Sequence, residues 1–452
     1  MAHIVFAVPA IGSFRLMERL RTQLQRRDHR VSILCTERSD FSFWREQCAA
    51  VDLLAARRHH LVDPRALETV GPTCPARTRR RLPWLAGAAT PWFERERPDL
   101  VLFHETRSAD AQVVRRAAED AGGRVLWTGA GLLAHTMQLD DHGIDAAAGC
   151  RRWSAKEYRV VEPDDELLRA ALGYALAGIA PLALPSAAVQ VPPAARRLLD
   201  ALTYGLEGRA AAAAGALTSW RAAVTEPPAA LPRLGAPAPH PPFLAVLLQP
   251  LRDPRLAPDQ RTAAYAEQLV RGALQATRDL DVETGVAVVT STDRCPSGVR
   301  QIAARHPDKI TLLSAEAAAP AAATAAAVVT VNHPAAMVGL LASTPVVHTG
   351  DALYELRGVT ARATADSVSD AVLQALTQHR PALRRRFLTW LLRYGHVWCS
   401  TTSPSFNGML GLVEAVEQRL SAAVPVTARP LAYQPGPCWP LQTSGRAGPI
   451  GL

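Results

Sequence analysis

Residues 328–354 read VVTVNHPAAMVGLLASTPVVHTGDALY, and this stretch decides the fold. The apolar run Val328–Val331 predicts a buried strand, and Thr344–His348 predicts a second one. Between them the pattern predicts a helix with Pro334 near its first turn, where a missing N–H costs least. A strand, a helix and a second strand in this order form the repeating unit of a parallel sheet.

The start of that helix is a candidate phosphate site. A helix N-terminus offers backbone N–H groups without intrahelical partners and the positive end of the helix dipole, and both attract anions. Asn332 and His333 would lie at its mouth. The alternative is that Asn332 only caps the helix and that His333 is merely exposed.

The same unit recurs in both halves of the chain. Short continuous apolar runs are typical of strands that are buried on both faces of a sheet, and amphipathic stretches separate them here. We therefore expect an α/β protein with two Rossmann-like parallel-sheet domains facing across a cleft. The other predicted strands are His3–Val8, Val31–Cys35, Asp99–Phe103, Arg124–Thr128, Phe243–Leu248, Gly285–Thr290 and Ile310–Leu313.

A proline-rich stretch divides the chain. Seven prolines lie between Glu226 and Pro242, and such a stretch cannot continue a helix or a central strand. The predicted division is a first domain at 1–165, a helical segment with the linker at 166–242, and a second domain at 243–424. The remaining residues, 425–452, are rich in proline and glycine and are predicted to form a poorly ordered tail.

The composition narrows the classes of function. The formal net charge is +9 at pH 7, and arginine supplies nearly all of the positive charge, since Lys156 and Lys309 are the only lysines. This balance suits a phosphorylated or acidic ligand, or an anionic membrane surface. No zinc-finger spacing and no aromatic-basic motif accompanies it, so nucleic acid is not expected as a partner.

Cysteine usage and the apolar segments bear on the compartment. Seven scattered cysteines without a CxxC pair argue against a disulfide framework and a zinc site, and they fit a reducing compartment. The N-terminus reads as a strand and not as a signal peptide. Ala170–Val191 is long enough to span a bilayer, but Pro181 and Pro185 favour a buried helix followed by a loop. We expect a cytoplasmic protein, and a peripheral contact with the inner face of the plasma membrane stays open.

Two groups of polar residues are candidates for chemistry. Gln249 and Asp253 follow the strand Phe243–Leu248 and are either ligand-binding residues or ordinary turn residues. His135 precedes Asp140 and Asp141 by a few residues, and a histidine beside carboxylates can serve as a general base near neutral pH. The alternative for this second group is a solvated loop.

Residues 328–360 resemble the signature of the bacterial capsule polysaccharide biosynthesis family, which includes β-Kdo transferases. Members of that family show a strand, then Asn-Ser-(Ser/Thr)-x-Gly-Leu-Glu-Ala-Leu-x-x-Gly-x-Pro-Val, Gly-x-Ala-x-Tyr and Gly-Leu-Thr. The resemblance implies the GT-B architecture, in which two Rossmann-like domains face each other. The residues in frame here are Asn332, Leu340, Pro345, Val346, Gly350, Ala352, Tyr354, Gly358 and Thr360.

Two other stretches resemble the same family more loosely. Gln249 and Asp253 hold the places of a glutamine and an aspartate that follow a strand in family members. In the first domain, Arg107 matches an arginine, Glu105 stands for an aspartate, and Asp110 falls where a histidine is expected.

Some departures from the family weaken the expectation of catalysis. An acidic pair that lies at the acceptor site of the transferases is replaced here by Thr128-Gly129. Val338 stands where other GT-B donor sites often carry a glutamate that holds the ribose. A Lys-x-His-Pro motif that should follow Val286–Thr290 is lost.

By this resemblance, the chain is expected to be an inverting glycosyltransferase of capsule polysaccharide biosynthesis. It would move a sugar, with Kdo from CMP-Kdo as one candidate, from a nucleotide donor to a lipid-linked or glycan acceptor. No cofactor or metal is implied, because helix N–H groups and arginines would stabilise the leaving nucleotide. The residues expected at the donor are Gln249, Asp253, Asn332, His333 and Tyr354, those at the acceptor are Glu105 and Arg107, and the catalytic candidates are His135, Asp140 and Asp141.

Two alternatives stay open. The first is a catalytically lapsed relative that acts as a binding or assembly component of capsule synthesis and export, and Val338, Thr128 and Gly129 favour it. The second is a nucleotide-sugar epimerase of the same architecture, which fits less well because no matching pair of catalytic carboxylates is visible in the sequence.

Overall fold

The computed structural model describes most of the two predicted domains. The described residues are 1–9, 11–54, 76–104, 108–178, 242–253, 255–280, 284–290, 295–378, 380–401 and 406–421. The predicted linker and tail lie outside these ranges, as does the predicted helical segment beyond residue 178.

The first lobe is built around a seven-stranded sheet of order β13-β6-β5-β4-β1-β2-β3, in which β13 is His396–Val397 from the C-terminal part of the chain. The strands from β3 to β5 are parallel, whereas β6 runs antiparallel to β5, and β13 runs antiparallel to β6. The elements of this lobe are β1 (His3–Ala7), α1 (Phe14–Gln25), β2 (Arg30–Cys35), α2 (Arg38–Gln47), β3 (Val51–Leu53), α3 (Ala76–Glu96), β4 (Leu100–His104), α4 (Ala109–Asp120), β5 (Arg124–Ala130) and β6 (Met137–Asp140). Helix α5 (Asp165–Gly178) follows along the chain and packs against helices of the second half of the chain.

The second lobe contains a six-stranded sheet of order β9-β8-β7-β10-β11-β12, parallel throughout. All six residues of β7 are buried, as expected for an apolar strand covered on both faces. The elements are β7 (Phe243–Leu248), α6 (Ala263–Asp279), β8 (Gly285–Thr290), α7 (Ser297–Arg305), β9 (Ile310–Leu313), α8 (Ala318–Thr324), β10 (Ala327–Thr330), α9 (Ala336–Leu341), β11 (Val346–His348), β12 (Ala361–Arg362) and α10 (Val368–Thr377).

Both strand orders are those of a Rossmann fold. Each sheet starts in its middle, winds outward in one direction and then resumes beside its first strand in the other direction. The prediction of two Rossmann-like parallel sheets is therefore confirmed.

After the second sheet, the chain returns to the first lobe. Helix α11 (Pro381–Trp390) and one π-helical turn lead to β13 (His396–Val397), which pairs with β6, and then to α12 (Phe406–Ser421). The buried side chains of α12 share a core with those of α1, and Glu417 accepts a hydrogen bond of 2.5 Å from Arg27. The sequence-based division places residues 243–424 in the second domain, whereas the structure packs residues 396–399 and helix α12 against the first lobe.

The two lobes also share an apolar seam. Leu132, Leu133 and Tyr158 from the first lobe belong to the same buried cluster as Met337 and Phe387 from the second half of the chain. Burial on this scale is the main favourable contribution to association between lobes. No helix in the described part of the chain is long and apolar enough to cross a membrane.

Candidate functional site

The strand order of the second sheet reverses between β7 and β10, which are neighbours in the sheet. In open parallel sheets, ligands bind outside the carboxyl ends of the strands at this reversal. Gln249 follows the last residue of β7, and Asn332 follows β10 by two residues. The topology therefore brings two predicted donor-site residues to the position that favours a ligand.

These residues form one hydrogen-bonded network. The backbone N–H of Asn332 donates to Oε1 of Gln249 over 3.1 Å, and Nε2 of Gln249 donates to Oδ2 of Asp253 over 3.2 Å. Nδ2 of Asn332 donates to the carbonyls of Arg255 and Asp351 at 2.9 and 3.0 Å. Oδ1 of Asn332 is buried and has no hydrogen-bond partner among the residues that the structure describes, and such an acceptor is costly unless a ligand or water meets it.

Arg255 belongs to this network and is absent from the sequence-based assignment. Its Nε and one terminal nitrogen donate to the two carboxylate oxygens of Asp253 at 3.0 and 2.6 Å, and its backbone N–H donates to Oδ1 at 2.9 Å. Burial acts to raise the pKa of Asp253, but the bonds from Arg255 outweigh it and lower that pKa. The same pairing raises the pKa of Arg255 against the effect of its own burial. The site therefore holds the guanidinium of Arg255 in a fixed position. In the sequence, the signal that could have identified this residue is its place two residues after Asp253.

His333 and Tyr354 lie beneath the network and are buried. The hydroxyl of Tyr354 donates to the carbonyl of His333 over 3.2 Å. Burial lowers the pKa of His333 to about 3, with Arg255 adding to the effect, so the ring is neutral at neutral pH. Its Nδ1 accepts from the N–H of Ala335, which places the ring proton on Nε2. The alternative of an exposed His333 is wrong, because its side chain is held inside the protein.

The structure does not support a phosphate seat at the helix after β10. Helix α9 begins at Ala336, two residues after Pro334. The N–H groups before it have protein acceptors: that of His333 donates to Oγ1 of Thr330 at 3.1 Å, and those of Asn332 and Ala335 are bonded as described above. The N–H of Ala336 donates to the carbonyl of His333. The backbone donors that would receive a phosphate are therefore already engaged.

Val338, which stands in the place of a ribose-binding acid, faces the core of the second lobe. Its side chain is 1% exposed and belongs to the apolar cluster at the seam. A buried aliphatic side chain offers no hydrogen bond to a ribose hydroxyl, so Val338 cannot replace an acid that binds the ribose.

The three catalytic candidates of the first lobe do not converge. His135 is exposed at the loop before β6, with its ring 6.2 Å from that of Tyr174. Asp140 ends β6, and Thr136 and three strand residues, which rise about 3.3 Å each, separate it from His135. Asp141 instead pairs with Arg419, 3.3 Å away on the returning helix α12.

Asp140 organises the loop that follows it. One oxygen accepts from the N–H groups of His142 and Gly143 at 2.7 and 3.1 Å, and both oxygens accept from Gly149 at 2.9 and 3.0 Å. The side chain is 2% exposed. A carboxylate that holds three backbone donors inside the protein stabilises a loop conformation, and a catalytic role for it has no geometric support. The acceptor residues Glu105 and Arg107 lie outside the described residues.

His104 is a candidate base that sequence reasoning missed. It is the last residue of β4, beside β1, where the order of the first sheet reverses. Its Nδ1 lies 2.9 Å from Oγ1 of Thr128, whose hydroxyl donates to the carbonyl of Phe103 over 3.2 Å. Nδ1 therefore carries the proton, and Thr128 fixes the tautomer of the ring. Thr128, which replaces an acid of the family, thus orients a histidine.

The backbone beside His104 is strained. Val8 follows β1 at the same edge of the sheet and has a φ of 51°. A β-branched residue rarely adopts this left-handed conformation, and strain of this kind is concentrated at functional sites. Among the described residues, no group of three His, Cys, Asp or Glu side chains is placed to hold a metal ion.

Comparison with known proteins gives only distant likenesses. No protein-family model and no curated protein sequence matches the chain. Among solved structures, KpsC from Thermosulfurimonas dismutans, a β-Kdo 2,4 transferase, is 13% identical, with a TM-score of 0.40 over 91% of this chain and 98% of that one. MnaA from S. aureus with UDP is 11% identical, with a TM-score of 0.34 over 93% and 97%. The spinosyn forosaminyltransferase SpnP is 15% identical, with a TM-score of 0.29 over 93% and 100%. The fold assignment rests on the strand orders and registers given above.

Proposed function

We propose that this chain is a GT-B glycosyltransferase of bacterial capsule polysaccharide biosynthesis. It would bind a nucleotide-activated sugar beside the second sheet and transfer the sugar to a lipid-linked or glycan acceptor, with CMP-Kdo as one candidate donor. The observation that carries the proposal is the network of Gln249, Asp253, Arg255 and Asn332 at the strand reversal. The sequence resemblance in residues 328–360 supports the choice of family and pathway.

The roles of the residues follow from their chemistry. Arg255 provides a positive charge at the donor site, where the nucleotide phosphate gains negative charge as it leaves. The unpartnered Oδ1 of Asn332 would accept a hydrogen bond from the donor. In the first lobe, a base would take the proton of the acceptor hydroxyl while the hydroxyl oxygen bonds to the anomeric carbon and the nucleotide departs with the bonding electrons. His104 is the candidate for that base, because it ends β4 at the strand reversal of the first sheet. No metal enters this scheme, and the protein would work in the cytoplasm, at the inner face of the plasma membrane.

The alternative function is a nucleotide-binding component of capsule assembly without turnover. One observation favours it: Asp140, a predicted catalytic residue, is committed to its loop. Both functions require nucleotide binding at the second sheet, and only the transferase requires His104.

Calorimetric titration with CMP and with UDP tests the shared requirement. We expect one of them to bind, and we expect Asn332→Ala and Arg255→Met to weaken that binding at least about tenfold, or about 1.4 kcal/mol. Arg252→Met is the matched control, because Arg252 is an exposed arginine of the same loop, and its affinity should stay within about twofold of the wild type. Absence of binding at millimolar nucleotide would sink both functions.

Turnover separates the two functions. Release of CMP from CMP-Kdo, in the presence of a membrane extract as a source of acceptor, should occur with the wild type and fall at least about a hundredfold in His104→Gln. The same variant should keep the nucleotide affinity of the wild type. Binding without release in the wild type would leave the assembly role and reject the transferase.

A further inference from the structure

The loop at 140–152 is a rigid unit of the first lobe that extends to the second lobe. Asp140 holds its two ends together through the N–H groups of His142, Gly143 and Gly149, as described above. Oε1 of Gln138 accepts from the N–H of Asp145 over 2.9 Å, and Arg151 donates to the carbonyl of Ala146 over 2.6 Å. The position of Arg151 is therefore set by the first lobe.

Arg151 forms ion pairs with the second lobe. One terminal nitrogen contacts the carboxylate of Glu355 and lies 3.4 Å from Oδ1 of Asp351. Arg362 pairs with the same two acids, at 2.7 Å to Glu355 and 3.1 Å to Asp351. Two arginines and two carboxylates thus form a quartet without net charge. The Arg151 side chain is 19% exposed, so its pairs are screened less than those of a surface arginine.

This quartet touches the proposed donor site. The backbone carbonyl of Asp351 is one of the two acceptors that hold Nδ2 of Asn332. Asp145, from the same loop of the first lobe, adds to the effect that raises the pKa of Arg255. The loop therefore places the carboxylate of Asp145 near the guanidinium of Arg255. It also places the guanidinium of Arg151 beside Asp351, whose backbone carbonyl holds the amide of Asn332.

We infer that the loop at 140–152 completes the nucleotide site and that Arg151 is a positioning residue for it. Arg151 holds Asp351, and Asp351 holds Asn332, so the site is fully formed only when the two lobes meet at this quartet. This inference rests on the proposed nucleotide binding and adds to it a requirement for the first lobe.

Loss of Arg151 would act in two ways that can be separated. The variant Arg151→Met removes the link between lobes and also leaves a net negative charge beside a site for phosphates. The double variant Arg151→Met/Glu355→Gln restores the charge balance without the link. The exchange Arg151→Glu/Glu355→Arg restores an ion pair across the seam, with the acid now on the first lobe and the arginine on the second.

The experiment is calorimetric titration with CMP and with UDP of the wild type, the three variants and Arg152→Met. Arg152 is the matched control, because it is the neighbouring arginine on the same turn and is exposed. We expect Arg151→Met to weaken binding about tenfold, the neutral double variant to stay weak, and the exchange to recover most of the affinity. Arg152→Met should bind like the wild type.

Each outcome decides something. Wild-type affinity in Arg151→Met would overturn the inference while leaving the proposed function standing. Full recovery in the neutral double variant would also overturn it, because charge alone would then explain the loss. Absence of binding in the wild type would reject the proposed function and this inference together. Urea unfolding of each variant shows whether the protein is folded under the conditions of titration.

Discussion

At the scale of single residues, Asp140 is a buried carboxyl on which two effects oppose each other. Burial raises its pKa, the N–H groups of Gly149, His142 and Gly143 lower it, and the balance lies at about 6, above the ordinary value of 3.8. Between these two pH values the folded protein holds a proton that the unfolded chain has released. The contribution of Asp140 to the free energy of unfolding is therefore fully present below pH 4 and is lost as the pH rises through 6.

The variant Asp140→Asn tests this sign. It removes the titration but keeps one oxygen that can accept from the loop N–H groups. From pH 4 to pH 7, the free energy of unfolding of the wild type should fall by about 3 kcal/mol relative to the variant, since two pKa units correspond to about that energy. Urea unfolding at several pH values measures the difference. Asp120→Asn, at an exposed position, is the control and should show the same pH dependence as the wild type. The prediction would be contradicted if the free energies of unfolding of the wild type and Asp140→Asn differed by the same amount at every pH.

Single residues also show how far the sequence predicts a site. Gln249, Asn332 and their neighbours could be placed together, because strand ends at a sheet reversal meet in space whatever the side chains are. Arg255 and His104 were not assigned, because their roles depend on the partners Asp253 and Thr128. Hydrogen bonds between side chains on different elements produce no repeating pattern in the sequence, so a single sequence does not reveal them.

At the scale of elements, strong periodicity predicted strands and helices well. Strands such as β7 and β8 were predicted with the bounds that the structure shows. The strands β3, β6 and β13 were not predicted, because polar residues such as Asp52, Gln138 and His396 interrupt them and no continuous apolar run marks them. Helix α8 contains Pro320 in its first turn, where a proline is tolerated.

Glycine 339 sets how closely α9 packs against its neighbours. A Cβ atom there would lie 3.1 Å from the carbonyl oxygen of Ala322 and 3.2 Å from a methyl group of Val328. A larger side chain would have to displace α8 or β10. Gly339→Leu should therefore reduce the free energy of unfolding by about 1–3 kcal/mol, as overpacked cores do.

Gly173 offers the matched control for this substitution. It lies on helix α5 with no atom near the place of a Cβ, so Gly173→Leu gains helix propensity without a clash. That variant should be neutral or more stable by up to about 1 kcal/mol. Urea unfolding of both proteins compares the two; equal stabilities would show that α8 moves aside without cost.

At the scale of the whole molecule, the two sheets follow from the sequence, but the path of the C-terminal segment does not. The amphipathic pattern of α12 predicts a buried face and says nothing about which sheet covers it. The structure shows that α12 buries Leu412, Val413 and Val416 against the first lobe. The first lobe therefore depends on a helix that is reached only through the second, and this makes the stability of the lobes interdependent.

Arg419 is the polar anchor of that return. It lies on α12, only 4% exposed, and donates to Asp141 over 3.3 Å and to the carbonyl of Tyr394 over 2.9 Å. Arg419→Met would leave the carboxylate of Asp141, whose side chain is 10% exposed, without this cation. Removing one partner of a buried pair costs about 3–5 kcal/mol, so the variant should lose roughly 3 kcal/mol of stability.

Arg116→Met breaks an exposed pair on α4 and should cost at most about 0.5 kcal/mol. Scanning calorimetry should show the whole transition of Arg419→Met at lower temperature, since α12 covers the core of one lobe and is tethered by the other. A separate early transition of α12, with the rest of the molecule melting like the wild type, would show that the return of the chain is not part of the cooperative core.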